Sequence, residues 1–204
     1  MKNTEAIGKL AEATWDALCT TSGITCRAIP VSKKYGEKRP DRLITVGGQD
    51  MTVEIKAISE NEEWDAHFNG IGGKHGVMRH LTVAGYNGEA KRVCWQLKKS
   101  AAQHLMYAEA TGDYIHTLTV LVDIRENPES DLAELVSGML QTSPVGSSWQ
   151  YKVFVGISSI AVVRSGKATA LIHTGYGLGA SSEYPDLSFL TNQEAPTTCP
   201  QELK

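Results

Sequence analysis

The strongest constraint on how this chain folds is a pair of strand-forming segments, residues 41–46 and 51–57, separated by Gly47 and Gly48. Both segments are rich in β-branched and aliphatic residues, and paired glycines supply the positive φ angles that a two-residue hairpin turn requires. Side chains alternate across a strand, so Met51, Val53, Ile55 and Ala57 share one face while Thr52, Glu54 and Lys56 share the other. The apolar face is expected to pack on the core. With a two-residue turn Val46 pairs with Gln49 and Asp41 falls opposite Glu54; with a four-residue turn Asp41 falls opposite Lys56. In either register Asp41 joins the Glu54 and Lys56 face, and Arg42, Ile44 and Val46 take the opposite one.

That placement has an energetic consequence. Glu54 and Lys56 stand about 7 Å apart along the strand, and two carboxylates about 5 Å apart across a strand pair repel each other and destabilise the hairpin unless a cation lies between them. Oxygen ligands suit a hard ion such as Mg²⁺, which keeps several waters and completes its shell with substrate phosphate. An ion there would neutralise charge on a scissile phosphate and acidify a water, and the Lys56 ammonium beside it would stabilise the hydroxide and the transition state. The pattern therefore predicts phosphodiester hydrolysis without a covalent protein intermediate.

The flanking sequence supplies an α/β framework. Ile7, Leu10, Ala11, Thr14 and Leu18 recur at three- and four-residue spacings, predicting an amphipathic helix over 4–19. Residues 24–29 alternate like a strand and lead into a basic, turn-rich loop at 32–40. Val93, Leu97, Ala101, Leu105 and Ala108 predict a second helix over 91–110, followed by a buried strand at 115–124, a helix at 126–141, strands at 151–164 and 168–173, and a loose polar tail from 177 to 204. The expectation is one domain spanning 1–204, with its core at about 5–175 and a central mixed sheet flanked by helices.

Pro40-Asp41, a glycine hairpin and then Glu54-Ile55-Lys56 resemble, in order and spacing, the PD-(D/E)XK nuclease superfamily, which includes restriction enzymes and Holliday-junction resolvases. The resemblance covers roughly residues 5–125. It implies a restriction endonuclease-like core, Asp41 and Glu54 as metal ligands together with the Ile55 carbonyl, and Lys56 as the catalytic lysine. It also implies supporting roles for Glu12 on the preceding helix and Gln103 on the following one. Mg²⁺, with Mn²⁺ as a substitute, is the implied cofactor. DNA is the implied substrate, with restriction-type cutting of duplex DNA first and structure-selective repair or recombination cleavage second. Cutting both strands of a two-fold symmetric duplex suits a homodimer. A non-catalytic nucleic-acid-binding protein on the same fold is the reading from another class.

Charge and composition agree with this direction. The net charge of −3 conceals an asymmetry: residues 27–99 carry thirteen basic against nine acidic side chains, and residues 109–204 carry five against eleven. A positively charged half can hold a polyanion. Residues 58–90 form a glycine-containing excursion in which Lys74 and Arg79, with Lys91 and Arg92 beyond it, are candidate phosphate contacts. Gly70 to His75 lacks the spacing of a nucleotide-binding phosphate loop, and His67, His75 and His80 have no partner at ligand spacing, so all three are expected to be surface residues. Cys19, Cys26, Cys94 and Cys199 are scattered without a C-x-x-C pair, a spacing that suggests neither a zinc knuckle nor an iron–sulfur cluster and predicts reduced, mostly structural thiols. The N-terminal residues lack an apolar signal region, and the apolar stretches at 118–124 and 153–163 are too short or interrupted to span a bilayer, so a cytoplasmic protein without membrane contact is expected.

Overall fold

The computed structural model describes residues 2–30, 38–59, 88–126, 128, 130–141, 152–179 and 184–191. Its organising element is the hairpin of β2 (Arg42–Val46) and β3 (Gln49–Ile58), in which Gly47 and Gly48 adopt φ of 57° and 80°. Two consecutive positive φ angles give the turn whose twist matches paired strands. The register is the two-residue one, with Val46 paired to Gln49 and Arg42 to Val53.

Six strands form one mixed sheet in sequential order. β1 (Thr25–Ala28) pairs antiparallel to β2, β3 runs parallel to β4 (His116–Asp123), β4 runs parallel to β5 (Ser159–Arg164), and β6 (Lys167–His173) returns antiparallel to β5. Every residue of β4 is buried, as a parallel strand covered on both faces must be.

Helices cover both faces. Ala11, Trp15, Leu18 and Cys19 of α1 (Lys2–Thr21) pack on Met51, Val53, Ile55, Leu118 and Val120. On the other face lie α2 (Gly88–Thr111) and α3 (Leu132–Gln141), with Val93, Leu97 and Ala101 of α2 and Leu132, Val136 and Met139 of α3 closing over Ile58, Leu121, Ile160 and Val162. The protein is thus an α/β fold with a central mixed sheet flanked by helices. Among the described residues no helix is long and apolar enough to cross a membrane.

Several local expectations change. The buried stripe of α1 is turned relative to the one read from spacing: Trp15 and Cys19 are fully buried, while Leu10 is 54% exposed. The large indole at Trp15 outweighs Leu10 in setting the helix rotation, because it removes more apolar surface from water. Helix α3 starts at Leu132 rather than 126, because the Asp131 carboxylate accepts the backbone N–H groups of Ala133 and Glu134 at 2.8 and 3.0 Å and caps it there. The strand expected from 151 is shorter at its start. Residues 152–154 form a helical turn, and the chain reverses at Gly156 (φ 86°), where an added Cβ would lie 3.0 Å from the Leu105 side chain of α2. The polar tail also contributes to the core: α4 (Ser188–Thr191) brings Leu187 and Leu190 against the α1 face. Residues 60–87, with Lys74, Arg79 and the loop histidines, and residues 192–204, with Cys199, lie outside the described residues.

Candidate active site

The ladder between β2 and β3 ends at Arg42 and Val53, whereas β3 continues to Ile58 alongside β4. Among the described residues, 54–58 of β3 therefore have no strand partner on the β2 side, and the reason lies in two residues of the facing chain. Extending the register sets Pro40 opposite Ile55, and proline has no N–H to donate to a ladder. Asp41 substitutes a side chain for the missing strand: its Oδ2 accepts the Ile55 N–H at 2.8 Å. The carboxylate is thereby fixed at the open edge beside Glu54.

Glu54 is 1% exposed and pairs with Lys56, whose ammonium also donates to Gln103 Oε1 at 2.9 Å. Gln103 Nε2 in turn donates to the Arg39 carbonyl at 3.1 Å, so one amide ties together α2, Lys56 and the segment leading into β2. Glu54 Oε2 is buried and has no hydrogen-bond partner among the described residues. A buried carboxylate oxygen left unsatisfied is costly. Burial pushes the Glu54 carboxyl up to about 7; the Lys56 ammonium and, more weakly, the Gln103 amide oppose the shift, and the Asp41 charge adds to it. Burial likewise raises Asp41 above its usual range, against the pull of the Ile55 N–H and Lys56.

The two carboxylates thus share one electrostatic environment on an open strand edge. An orphaned, buried Glu54 oxygen beside a second, oriented carboxylate fits a hard divalent ion, and among the described residues no group of three or more His, Cys, Asp or Glu side chains converges to make a closed site. Two protein carboxylates leave the remaining ligands to water and phosphate, the partly hydrated, oxygen-rich coordination that Mg²⁺ prefers.

Neighbouring polar groups below this site are structural. Thr52 Oγ1 lies 2.9 Å from His104 Nδ1, and Ser100 Oγ lies 2.5 Å from Thr119 Oγ1, joining β3 and β4 to α2. His104 is fully enclosed, and burial, reinforced by the Lys56 charge, pushes it down to about 3, so it stays neutral. The Thr52 and Glu54 face of β3 is therefore buried as deeply as its apolar face, a depth that alternation alone does not convey.

Glu12 reaches the same edge from α1, but its carboxylate is engaged. Arg42 Nη2 donates to Glu12 Oε2 at 2.8 Å and to Asp16 Oδ2 at 2.9 Å, while Arg42 Nε donates to Asp16 Oδ1 at 3.0 Å. Asp16 holds the guanidinium through two nitrogens, the arrangement that planar arginine favours. Arg42 therefore joins α1 to β2 directly behind Asp41. No sequence pattern signals this clamp, because residues 12, 16 and 42 meet only through the tertiary fold.

Lys91 and Arg92 do not display their charges as the phosphate contacts expected of them. The structure buries both, at 3% and 6% exposure, because they begin α2 where it packs on the sheet, and Arg92 lies on the wall of a cavity beside Lys56. Lys99, a basic residue off the apolar stripe of α2, completes a cluster instead. Its ammonium lies 3.3 Å from the centroid of the Trp95 ring, and burial, then the charges of Lys56 and Lys38, hold its titration below the ordinary lysine range. Three ammonium groups near one strand edge repel one another until an anion arrives.

No family model and no curated protein matches this chain. A solved structure, that of Pyrococcus furiosus SfsA in complex with Ca²⁺, is similar at 15% identity and a TM-score of 0.30, covering 86% of this chain and 64% of that one. The chain thus spans less than two thirds of that protein, and an overlap this loose carries no argument about chemistry.

Proposed function

We propose that this chain is a metal-dependent endonuclease that hydrolyses DNA phosphodiester bonds at the open edge of β3. The observation that carries the proposal is Glu54: a carboxylate with 1% exposure, one unpartnered oxygen, a second carboxylate beside it and a lysine on the same face. Titration perturbed by burial together with a specific charge neighbour clusters at functional sites.

Asp41, fixed by the Ile55 N–H, and Glu54, through Oε2, would hold a divalent ion, with the Ile55 carbonyl available on the same edge. When bound, such an ion supplies charge neutralisation at the phosphate and a more acidic water. Lys56 has three N–H donors, of which Glu54 and Gln103 engage two. The third is left for a non-bridging phosphate oxygen or the attacking water, where a fixed positive charge stabilises the transition state. Gln103 orients that ammonium. The Lys38, Lys56 and Lys99 charges favour a polyanionic substrate over a neutral one.

The test is incubation of supercoiled plasmid with the full chain and Mg²⁺. Relaxed and linear products from the wild type, abolished by chelator and by Lys56→Ala, are expected. A wild type that cuts neither the plasmid nor a circular single strand while still retarding DNA in a gel would replace the enzyme with a DNA-binding protein.

A further inference from the structure

Lys56 has a second neighbourhood. Between α1 and α2, along the same stretch of β3, lies a cavity of about 270 Å³ whose lining includes Ile7, Lys56, Arg92, Trp95, Gln96 and Lys99. Lys56, Lys99, a partly exposed indole and a side-chain amide converge there, with the buried Arg92 in the wall, and no acidic residue is among the described residues that line it. The volume falls just below the roughly 300–1,000 Å³ of pockets for drug-sized ligands. That is space on the scale of one nucleotide and too little for a double helix.

We propose that this cavity receives a single nucleotide, unpaired from its complement, that adjoins the scissile phosphate. The substrate class is then DNA with an unpaired nucleotide beside the cut, in place of intact duplex. This rests on the nuclease reading, because Lys56 lines both the cavity and the catalytic edge and so makes the two adjoin.

Each component has a place in that complex. The Trp95 ring offers a stacking platform, a sequence-tolerant contact because every base has a π face. The Lys99 ammonium, which lies over that ring at 3.3 Å, is displaced as the base stacks and moves to the adjoining phosphate. Gln96 can meet the base edge through its amide. Stacking one base on one aromatic ring gains about five- to a hundredfold in affinity. That gain does not offset the cost of extruding a base from an intact pair, which is smallest for mismatched or single-stranded bases. The cavity therefore selects DNA whose base is already free.

The experiment measures equilibrium binding of the full chain, in chelator so that nothing is cut, to three fluorescent DNAs of one length: a single strand, a duplex with one bulged nucleotide, and the intact duplex. The single strand and the bulged duplex are expected to bind at least about tenfold more tightly than the intact duplex. Trp95→Ala should weaken those two by about tenfold and the intact duplex by less than about twofold, with Trp95→Phe retaining most of the affinity. Lys99→Ala, at an exposed position, should repeat the selective loss if Trp95→Ala fails to fold. Equal affinity for all three DNAs, or an equal loss on all three, would overturn the proposal. So would displacement of the strand by micromolar free mononucleotide, which would assign the cavity to a small ligand. If Mg²⁺ brings no cleavage of any DNA while the binding contrast holds, only the nuclease reading fails; cleavage without the contrast removes only the subsite.

Discussion

Replacing Glu54 by glutamine should stabilise the metal-free protein, and by an amount that grows with pH. The folded environment holds the Glu54 carboxyl at about 7, against 4.5 for an ordinary glutamate. Between those values the native state keeps a proton that the unfolded chain has released, so stability falls as pH rises through the window. Glutamine mimics the neutral acid and removes the penalty. A tenfold change in proton affinity corresponds to about 1.4 kcal/mol, so Glu54→Gln should gain about 1 kcal/mol near pH 5 and about 3 kcal/mol near pH 8.5. His104 has the opposite sign: its value of about 3 makes stability increase with pH until roughly its unfolded value of 6.5. Because His104 is present in both proteins, the difference between wild type and variant isolates Glu54. Urea unfolding in chelator at the two pH values supplies the measurement. A variant less stable than the wild type at both pH values, or a gain that does not change with pH, would refute a buried carboxylate held against its ionisation.

Asp41→Asn should raise the metal-free melting temperature at pH 8, since it removes a charge that burial and the Glu12 carboxylate disfavour and that raises the cost of ionising Glu54, while the amide oxygen can still accept the Ile55 N–H; a lower melting temperature would argue against close pairing of the two carboxylates. Gln103→Ala should lower kcat by about tenfold with KM nearly unchanged, because it frees the Lys56 ammonium without removing it; steady-state kinetics on oligonucleotides distinguishes this from a binding defect. Arg42→Met should cost about 1–2 kcal/mol in urea unfolding through loss of the Glu12 and Asp16 hydrogen bonds, a modest figure because both carboxylates can return to water.

The hairpin was legible because two local rules act within it: alternation fixes which side chains share a face, and paired glycines fix the turn. The parity that brings Asp41 to the Glu54 face is equally local. The helix bearing Gln103 was legible from its four-residue apolar spacing, and its contact with Lys56 follows once that helix covers the β3 face. The Arg42 clamp was not legible, since it joins residues twenty-six and thirty positions apart. Nor was the burial of Lys91 and Arg92, because charge composition does not report depth. Trp95 and Lys99 fall on the polar side of a helix, where solvation is the ordinary fate; only the ending of β2 at Arg42 opens the edge where they meet Lys56. Glu54 could be placed on a face from the sequence, but its enclosure beneath α2 depends on how that helix packs.

The central claim is that Asp41 and Glu54 share one divalent ion. Titrating the full chain with Mn²⁺ and following the paramagnetic signal of the free ion tests it most directly. One ion bound per chain by the wild type, and none in the same concentration range by either Asp41→Asn or Glu54→Gln, is the predicted result. Unchanged Mn²⁺ binding in both variants would place the ion elsewhere and leave the paired carboxylates without the partner the account assigns them.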